Sequence, residues 1–296
     1  MCRCIDEYLE FAKTSLKTNT YKVYEDRLNI FKGYLLDEGI DHKRIDQISK
    51  DNIFNFVTSY KVNRGWENKT YNHYLQAINT FLQFFMDNKD GYIAENVCAK
   101  IKRPEVYKKG NTPFNNVIFR DLLDCLKDQD PYLYQFSRFI YYSCMRPDAE
   151  LRLLRICDID LYRRVILVPS ENSKKKKTQY IPIDDEFLEI IMEMNLDWFN
   201  KTDYVFTTSG MPEPKPAYES YFRKRFIPLK KSLGINNGET LYSFKHTRCI
   251  HLVEDGEKLH NIIKLTRHKT LAELMDYLKD MGVILGDEIK FKSRSI

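Results

Sequence analysis

The chain has 296 residues, 43% of them hydrophobic, with a formal net charge of +5 and a pI near 8.6. That length supports two domains with cores of their own, and the composition suits a soluble globular protein. No apolar run approaches the ~20 residues a membrane-spanning helix needs, and the opening MCRCIDEYLEFAKTSLKT lacks a signal peptide's apolar core, so the expected compartment is the cytoplasm.

Residues 5–98 carry helical periodicity throughout. Tyr24, Leu28, Phe31 and Leu35 fall at three- and four-residue spacing, one stripe of a helix that Gly39 stops. Ser49 is placed to cap a second helix, with Ile53, Phe56, Val57 and Tyr60 on one face. Tyr74, Ile78, Phe81 and Phe85 repeat the pattern. A bundle of four or five short helices over residues 1–103 is the expectation.

Periodicity breaks in KRPEVYKKGNTPFN, which holds two prolines and a glycine and reads as a linker over 104–113. A second domain over 114–296 opens with helices. The runs RRVILVP and TQYIPI then flank a polar tip and read as a β-hairpin, with DYVFTT as a candidate third strand. Helices return from about Pro216. The fold class is therefore mainly α with a small antiparallel sheet.

Seven cysteines are scattered along the chain. Cys2 and Cys4 form a lone C-x-C without a partner pair, so no metal site is expected. Cys144, Cys157 and Cys249 lie among apolar residues and read as buried small hydrophobes; reduced thiols fit a cytoplasmic protein.

Net charge alone names no partner, but the basic residues cluster. Lys100, Lys102, Arg103, Lys108 and Lys109 surround the linker. Arg223, Lys224, Arg225, Lys230 and Lys231 form a second block, and Lys174 to Lys177 a third. Each patch could track a phosphate backbone or be plain solvated surface.

The chemistry centres on RHKTLAELMDYLKDMG, where Tyr277 follows His268 by nine residues. A phenol can attack a phosphodiester when cations surround the phosphate and a neighbour handles protons. The cations lie upstream in Arg146, the lysine run and Lys245. Thr270 and Glu273 form a candidate capping box starting the last helix, with Leu271, Leu274, Met275 and Leu278 as its buried stripe and Tyr277 at the edge.

In YSCMRPDAELRLLRICDID, SENSKKKKTQYIPI, LYSFKHTRCIHLVEDG and LTRHKT followed by Tyr277, the chain resembles the tyrosine recombinases, or phage integrase family. The elements come in the family's order and nearly its spacing, with His268 26 residues after Tyr242. The resemblance implies an N-terminal helical core-binding domain and a C-terminal catalytic domain. Arg146 would be the first catalytic arginine, its fork matching two phosphate oxygens. Lys174 best matches the hairpin lysine that protonates the leaving 5′ oxygen, with Lys175 and Lys176 as rivals because hairpin register is open. His268 would donate to a phosphate oxygen or assist proton transfer, and Tyr277 would be the nucleophile.

Three departures stand out. Glu150 is four residues after Arg146 where three is usual. Tyr242 and Lys245 make a Y-x-x-K form of the family's H-x-x-R box, keeping a charge but losing the fork; Arg248, one turn on, could supply the missing guanidinium. Arg267 stands where the family has glycine.

The reaction implied is site-specific recombination: both domains close on double-stranded DNA, Tyr277 forms a 3′-phosphotyrosine, and a 5′ hydroxyl of a second duplex reverses the step without metal, ATP or other cofactor. Lys100, Lys102, Arg103, Lys108, Lys109, Lys175, Lys176, Arg223, Arg225 and Arg248 are the candidate DNA contacts. The resemblance further implies a homo-tetramer on synapsed sites, a monomer or dimer alone, and a tail after Tyr277 that docks on a neighbouring subunit. The short lead before the first helix leaves no room for a separate arm-binding domain. Two alternatives are a type IB topoisomerase-like reaction and a DNA-binding accessory protein of the same fold with weak or no catalysis.

Overall fold

The computed structural model describes residues 1–107 and 112–283. Lys108, Lys109 and the tail beyond Val283 therefore lie outside the described residues. The chain divides into two compact units, Met1–Lys108 and Lys109–Ile296. No helix among the described residues is long and apolar enough to cross a membrane.

The first unit holds four helices, α1 (Cys2–Ser15), α2 (Thr18–Asp37), α3 (Lys50–Asn63) and α4 (Asn68–Asn88). The expected stripes supply its core: Leu28, Phe31 and Leu35 from α2, Ile53, Phe56 and Val57 from α3, and Ile78, Phe81 and Phe85 from α4 are all buried. Tyr24, Tyr60 and Tyr74 pack at its edge, where a phenol keeps its hydroxyl wet. Trp66 stacks on Tyr74 at 4.0 Å.

Local signals set the ends. The Ser49 hydroxyl accepts the Asn52 amide at 3.2 Å and so caps α3. Gly39 takes φ +64, the left-handed turn that glycine enters without strain, and Ile40 donates back to the Leu35 carbonyl at 2.9 Å. The start of the linker is tied to α4, where Asn68 and Asn72 donate to the carbonyls of Glu105 and Pro104.

The second unit begins with α5 (Asn116–Gln129) and α6 (Pro131–Ser143). Asp130 caps α6 by accepting from the Leu133 amide at 2.9 Å, with Pro131 in the first turn, where a missing N–H costs nothing. A three-stranded antiparallel sheet follows in spatial order β1 (Ile159–Asp160), β2 (Val165–Val168), β3 (Gln179–Pro182). Ile166 pairs with Ile181, and both side chains point into the core. Among the described residues four further helices follow α7 (Asp185–Met192): α8 (Tyr221–Ser232), α9 (Ser243–Glu254), α10 (Leu259–Thr266) and α11 (Leu271–Asp280).

The hairpin stands as expected, but the third strand does not. DYVFTT makes only single bridges, Tyr204 pairing with Arg155 and with Glu213, while the third strand is the two-residue Ile159–Asp160. Cys144 and Cys249 are buried as expected, whereas Cys157 is exposed, because it lies in a 3-10 turn at the surface.

The core of this unit positions the chemistry. Phe136 on α6 stacks on Phe222 of α8 at 3.6 Å, and Phe244 on α9 meets Phe114 edge-on at 5.0 Å. Helix α9 packs along α6. The arginine box leaves the end of α6 and Lys245 sits on α9, so this one helix pair brings together residues far apart in the chain.

Candidate active site

Helix α6 ends at Cys144, whose left-handed φ of +52 turns the chain out of the helix. Arg146 follows two residues on. Glu150 turns back on it, accepting the Arg146 amide at 2.9 Å and also pairing with its guanidinium. The Glu150 carboxylate is fully buried. Burial pushes its pKa up, but Arg267 and Arg146 outweigh that and hold it below the usual range. Arg146 keeps about a third of its side chain open (29%), enough for the free edge of the guanidinium to meet a phosphate.

Helix α9 begins at the Y-x-x-K box. Tyr242 is its N-cap residue, half-buried, and Lys245 is 3% exposed with its ammonium 5.6 Å from the Tyr242 ring centre. Among the described residues no carboxylate pairs with Lys245. A buried cation without a counter-ion is costly, and an incoming anion relieves that cost.

His246, next in the chain, reaches the Tyr277 hydroxyl: its Nδ1 lies 2.5 Å from the phenolic oxygen. Burial and then the charge of Lys245 push His246 down to about 4, so the ring is neutral and its Nδ1 shares a hydrogen bond with the phenol. The Tyr242 ring packs edge-on against it at 4.8 Å. On the other side the His268 ring stands 5.0 Å from Tyr277. Two imidazoles thus flank the phenol.

His268 follows the left-handed residue Arg267 that ends α10. Its Nδ1 is 2.7 Å from Thr266 Oγ1, and that hydroxyl already donates to the Ile262 carbonyl at 2.7 Å. The hydroxyl therefore accepts from Nδ1–H, which leaves Nε2 of the neutral ring with its lone pair. Burial, then Lys245, pushes His268 to about 4, and the charges of Lys175 and Arg146 also reach it.

Tyr277 lies on α11, which Leu274 and Leu278 anchor in the core. Thr270 caps this helix by accepting from the Glu273 amide at 3.1 Å. The Glu273 side chain closes on the Lys269 amide instead of completing the expected box. Leu271, expected in the buried stripe, is 50% exposed, because at the first helical position it lies over the cap and not over the core. Burial raises the Tyr277 pKa strongly, with the Cys249 and Cys144 thiols and Tyr242 adding to it. The resting phenol is protonated.

At the hairpin tip one lysine points inward. Lys175 donates to the Arg267 carbonyl, and burial lowers its pKa. Lys174, the position favoured by sequence, and Lys176 are exposed. Lys176 has φ +52, which swings the chain around the tip.

The basic blocks are less available than their sequence suggests. Arg225 is held by Asp130 through bonds of 2.6 and 2.8 Å, and Lys100 pairs with Glu95 at 2.6 Å. Arg103 donates to Gln76 at 2.8 Å. Arg223 and Lys102 are exposed. Arg248 does not join the cluster: it pairs with Asp184 at 3.0 Å and lies over the Tyr141 and Tyr142 rings. The missing guanidinium of the box is not supplied from there.

Three participants escaped the sequence reading of roles: His246, Glu150 and Arg267. The signal for His246 was its place in the K-H-T frame beside Lys245.

A mainly helical domain with a hairpin lysine, an arginine, a buried lysine and two histidines around a phenol is the apparatus of phosphodiester transfer. The phage integrase family matches residues 118–281, and the N-terminal SAM-like domain of phage integrases matches residues 5–89. The chain belongs to the phage integrase family and is a site-specific tyrosine recombinase. Similar curated proteins include tyrosine recombinase XerC of Oceanobacillus iheyensis, 22% identical over 292 residues covering 92% of this chain and 90% of that protein. Tyrosine recombinase XerD of Staphylococcus epidermidis is 23% identical over 291 residues, covering 92% of each. Among solved structures, a lambda integrase(75–356) dimer bound to a COC′ core site shares the fold, with a TM-score of 0.76 at 16% identity and coverage of 98% of this chain and 99% of that one.

Proposed function

We propose that Tyr277 is the nucleophile of this recombinase, that Arg146 and Lys245 receive the scissile phosphate, that His268 takes up the phenolic proton, and that Lys175 protonates the leaving oxygen. The carrying observation is the phenol of Tyr277 held between two neutral imidazoles, beside a buried ammonium that no carboxylate among the described residues neutralises.

The steps follow from those positions. A phosphodiester entering the site brings the counter-ion Lys245 lacks, and Arg146 binds it through the free edge of its guanidinium. Attack requires the phenol to give up a proton that burial makes it hold tightly. Nε2 of His268 carries the free lone pair and takes that proton as the oxygen–phosphorus bond forms. His246 orients the phenol before attack. The 5′ oxygen leaves with a proton from Lys175, whose lowered pKa suits a general acid. A 5′ hydroxyl from a second duplex then reverses the sequence, and the ester conserves the bond energy. Exchange between two duplexes calls for four active sites, so the working assembly is a homo-tetramer on paired DNA sites. A solved lambda integrase tetramer bound to a Holliday junction shares the fold, with a TM-score of 0.70. Exposed Lys174, Lys176, Arg223 and Lys102 follow the phosphate backbone, which positions the duplex without reading its sequence.

The test works without a defined target site. The full chain carrying an affinity tag is expressed, cells are lysed in denaturant, and DNA covalently joined to the protein is sequenced. Adducts at discrete sites are expected for wild type and none for Tyr277→Phe. Equal recovery from both variants, or none from wild type, sinks the assignment. Relaxation of supercoiled plasmid without recombinant product would favour the topoisomerase-like reaction.

A further inference from the structure

Arg267 has no place in the reaction just described, yet it meets more of the site than any catalytic side chain. It ends α10 with φ +62, a left-handed conformation in which a side chain is strained and glycine is not. An arginine there needs compensation, and its contacts supply it. Its Nη2 donates to Glu150 Oε2 at 2.7 Å and to the Cys144 carbonyl at 3.3 Å, and its Nη1 reaches Gln179 Oε1 at 3.4 Å. Its carbonyl accepts from Lys175. One residue thus touches the end of α6, the arginine box, strand β3 and the hairpin tip, and His268 is its neighbour in the chain.

We propose that Arg267 is a positioning residue: by clamping Glu150 it fixes the Arg146 guanidinium, and by its carbonyl it holds the Lys175 ammonium, so that both ends of the reacting phosphate meet preset groups. This rests on the assignment of Arg146 and Lys175 above. Glu150 has two carboxylate oxygens and each is committed, Oε1 to the Arg146 guanidinium and Oε2 to both the Arg146 amide and Arg267. Glu150 is fully buried and Arg267 nearly so, so Arg267 needs this carboxylate, while Glu150 keeps Arg146 as a partner when Arg267 is removed. The two departures from the family pattern are then one feature. An extra residue after Arg146 shifts the carboxylate, and an arginine in the glycine position reaches the shifted carboxylate.

The test uses a nicked duplex carrying a site recovered from the wild-type adducts, with DNA affinity and single-turnover cleavage measured separately. Arg267→Gly suits the local backbone, so it should fold, and it removes the clamp. Cleavage should fall about 100-fold, the scale of a small displacement of a catalytic group, with affinity little changed. Free guanidinium ion at millimolar concentration should refill the vacated space and recover part of the rate, which a merely structural role would not show. Arg267→Lys should lie between, keeping the charge and losing the fork. The double variant Arg267→Gly with Glu150→Gln should lose no more than the worse single, because the two act as one unit. Wild-type cleavage by Arg267→Gly, or additive losses in the double variant, overturns the proposal while leaving Tyr277 as nucleophile. Absence of wild-type adduct overturns both.

Discussion

The two units bury different things. In the first, the fully buried side chains are almost all apolar, with rings of Phe31, Phe56, Phe81 and Phe85 at the centre, and the one buried polar residue among its described positions is Asn96, with its bonds made. In the second, Glu150, Lys245, His246 and Arg267 lie at 9% exposure or less. Burying such groups opposes folding. The catalytic unit therefore carries strain that the first unit has no use for, and its stability and its activity are set against each other.

The sharpest way to break this contrast is Lys245→Met, which keeps the volume and removes the charge. Cleavage of bound DNA should fall by ~10²- to 10³-fold, the scale for loss of one preorganised charge. Stability of the second unit should hold or rise by about 1 kcal/mol, since an uncompensated buried ammonium has been replaced by an apolar chain. A clear drop in melting temperature would mean that Lys245 is structural.

The converse is Phe56→Ala in the first unit. Its ring touches those of Phe31, Tyr34, Tyr60, Trp66 and Tyr74. Truncation should cost about 3–5 kcal/mol through the cavity left behind. Hydrogen exchange resolved by peptide should show that loss in residues 1–107, with protection around α6 and α9 unchanged.

A third contrast is a pH dependence centred on the two buried imidazoles of the second unit. His246 in the folded chain sits at about 4, below the ordinary 6.5. As pH falls through that window the unfolded chain takes up a proton the folded one refuses, so stability present above 6.5 is lost toward 4. The loss from His246 is about 3 kcal/mol by pH 4, and His268, shifted the same way and more open, adds to it. Urea unfolding at pH 7 and pH 4.5 measures it, and His246→Phe should flatten the profile. A profile unchanged by that substitution would count against the neutral, buried imidazole.

Helix stripes, the Ser49 cap and the hairpin were legible in the sequence because each rests on local spacing, whereas the order of Arg146, Tyr242, Lys245, His268 and Tyr277 was legible only through the family resemblance. What was not legible depends on partners far along the chain. Arg248 and Arg225 look like free cations until Asp184 and Asp130, 64 and 95 residues away, take them up. The inward lysine depends on where the hairpin tip turns, and the left-handed φ at Lys176 sets that after the run of identical residues has erased every sequence cue. The two-residue strand Ile159–Asp160 is too short for alternation to show, whereas DYVFTT has strand composition and no partner strand beside it. Arg267 could be seen as a departure, but its meaning lay in Glu150, 117 positions back.

The helix that bears Tyr277 is ten residues long and rests on two fully buried leucines. Detaching it exposes far less apolar surface than melting the unit, so hydrogen exchange faster in α11 than in α6 is the expected outcome. The Tyr277 oxygen thus rests against an imidazole, on a short helix held to the core by two side chains. With Tyr277 as the proposed nucleophile, its strongly raised pKa means that the phenol stays protonated and unreactive toward stray electrophiles until a phosphate docks beside it.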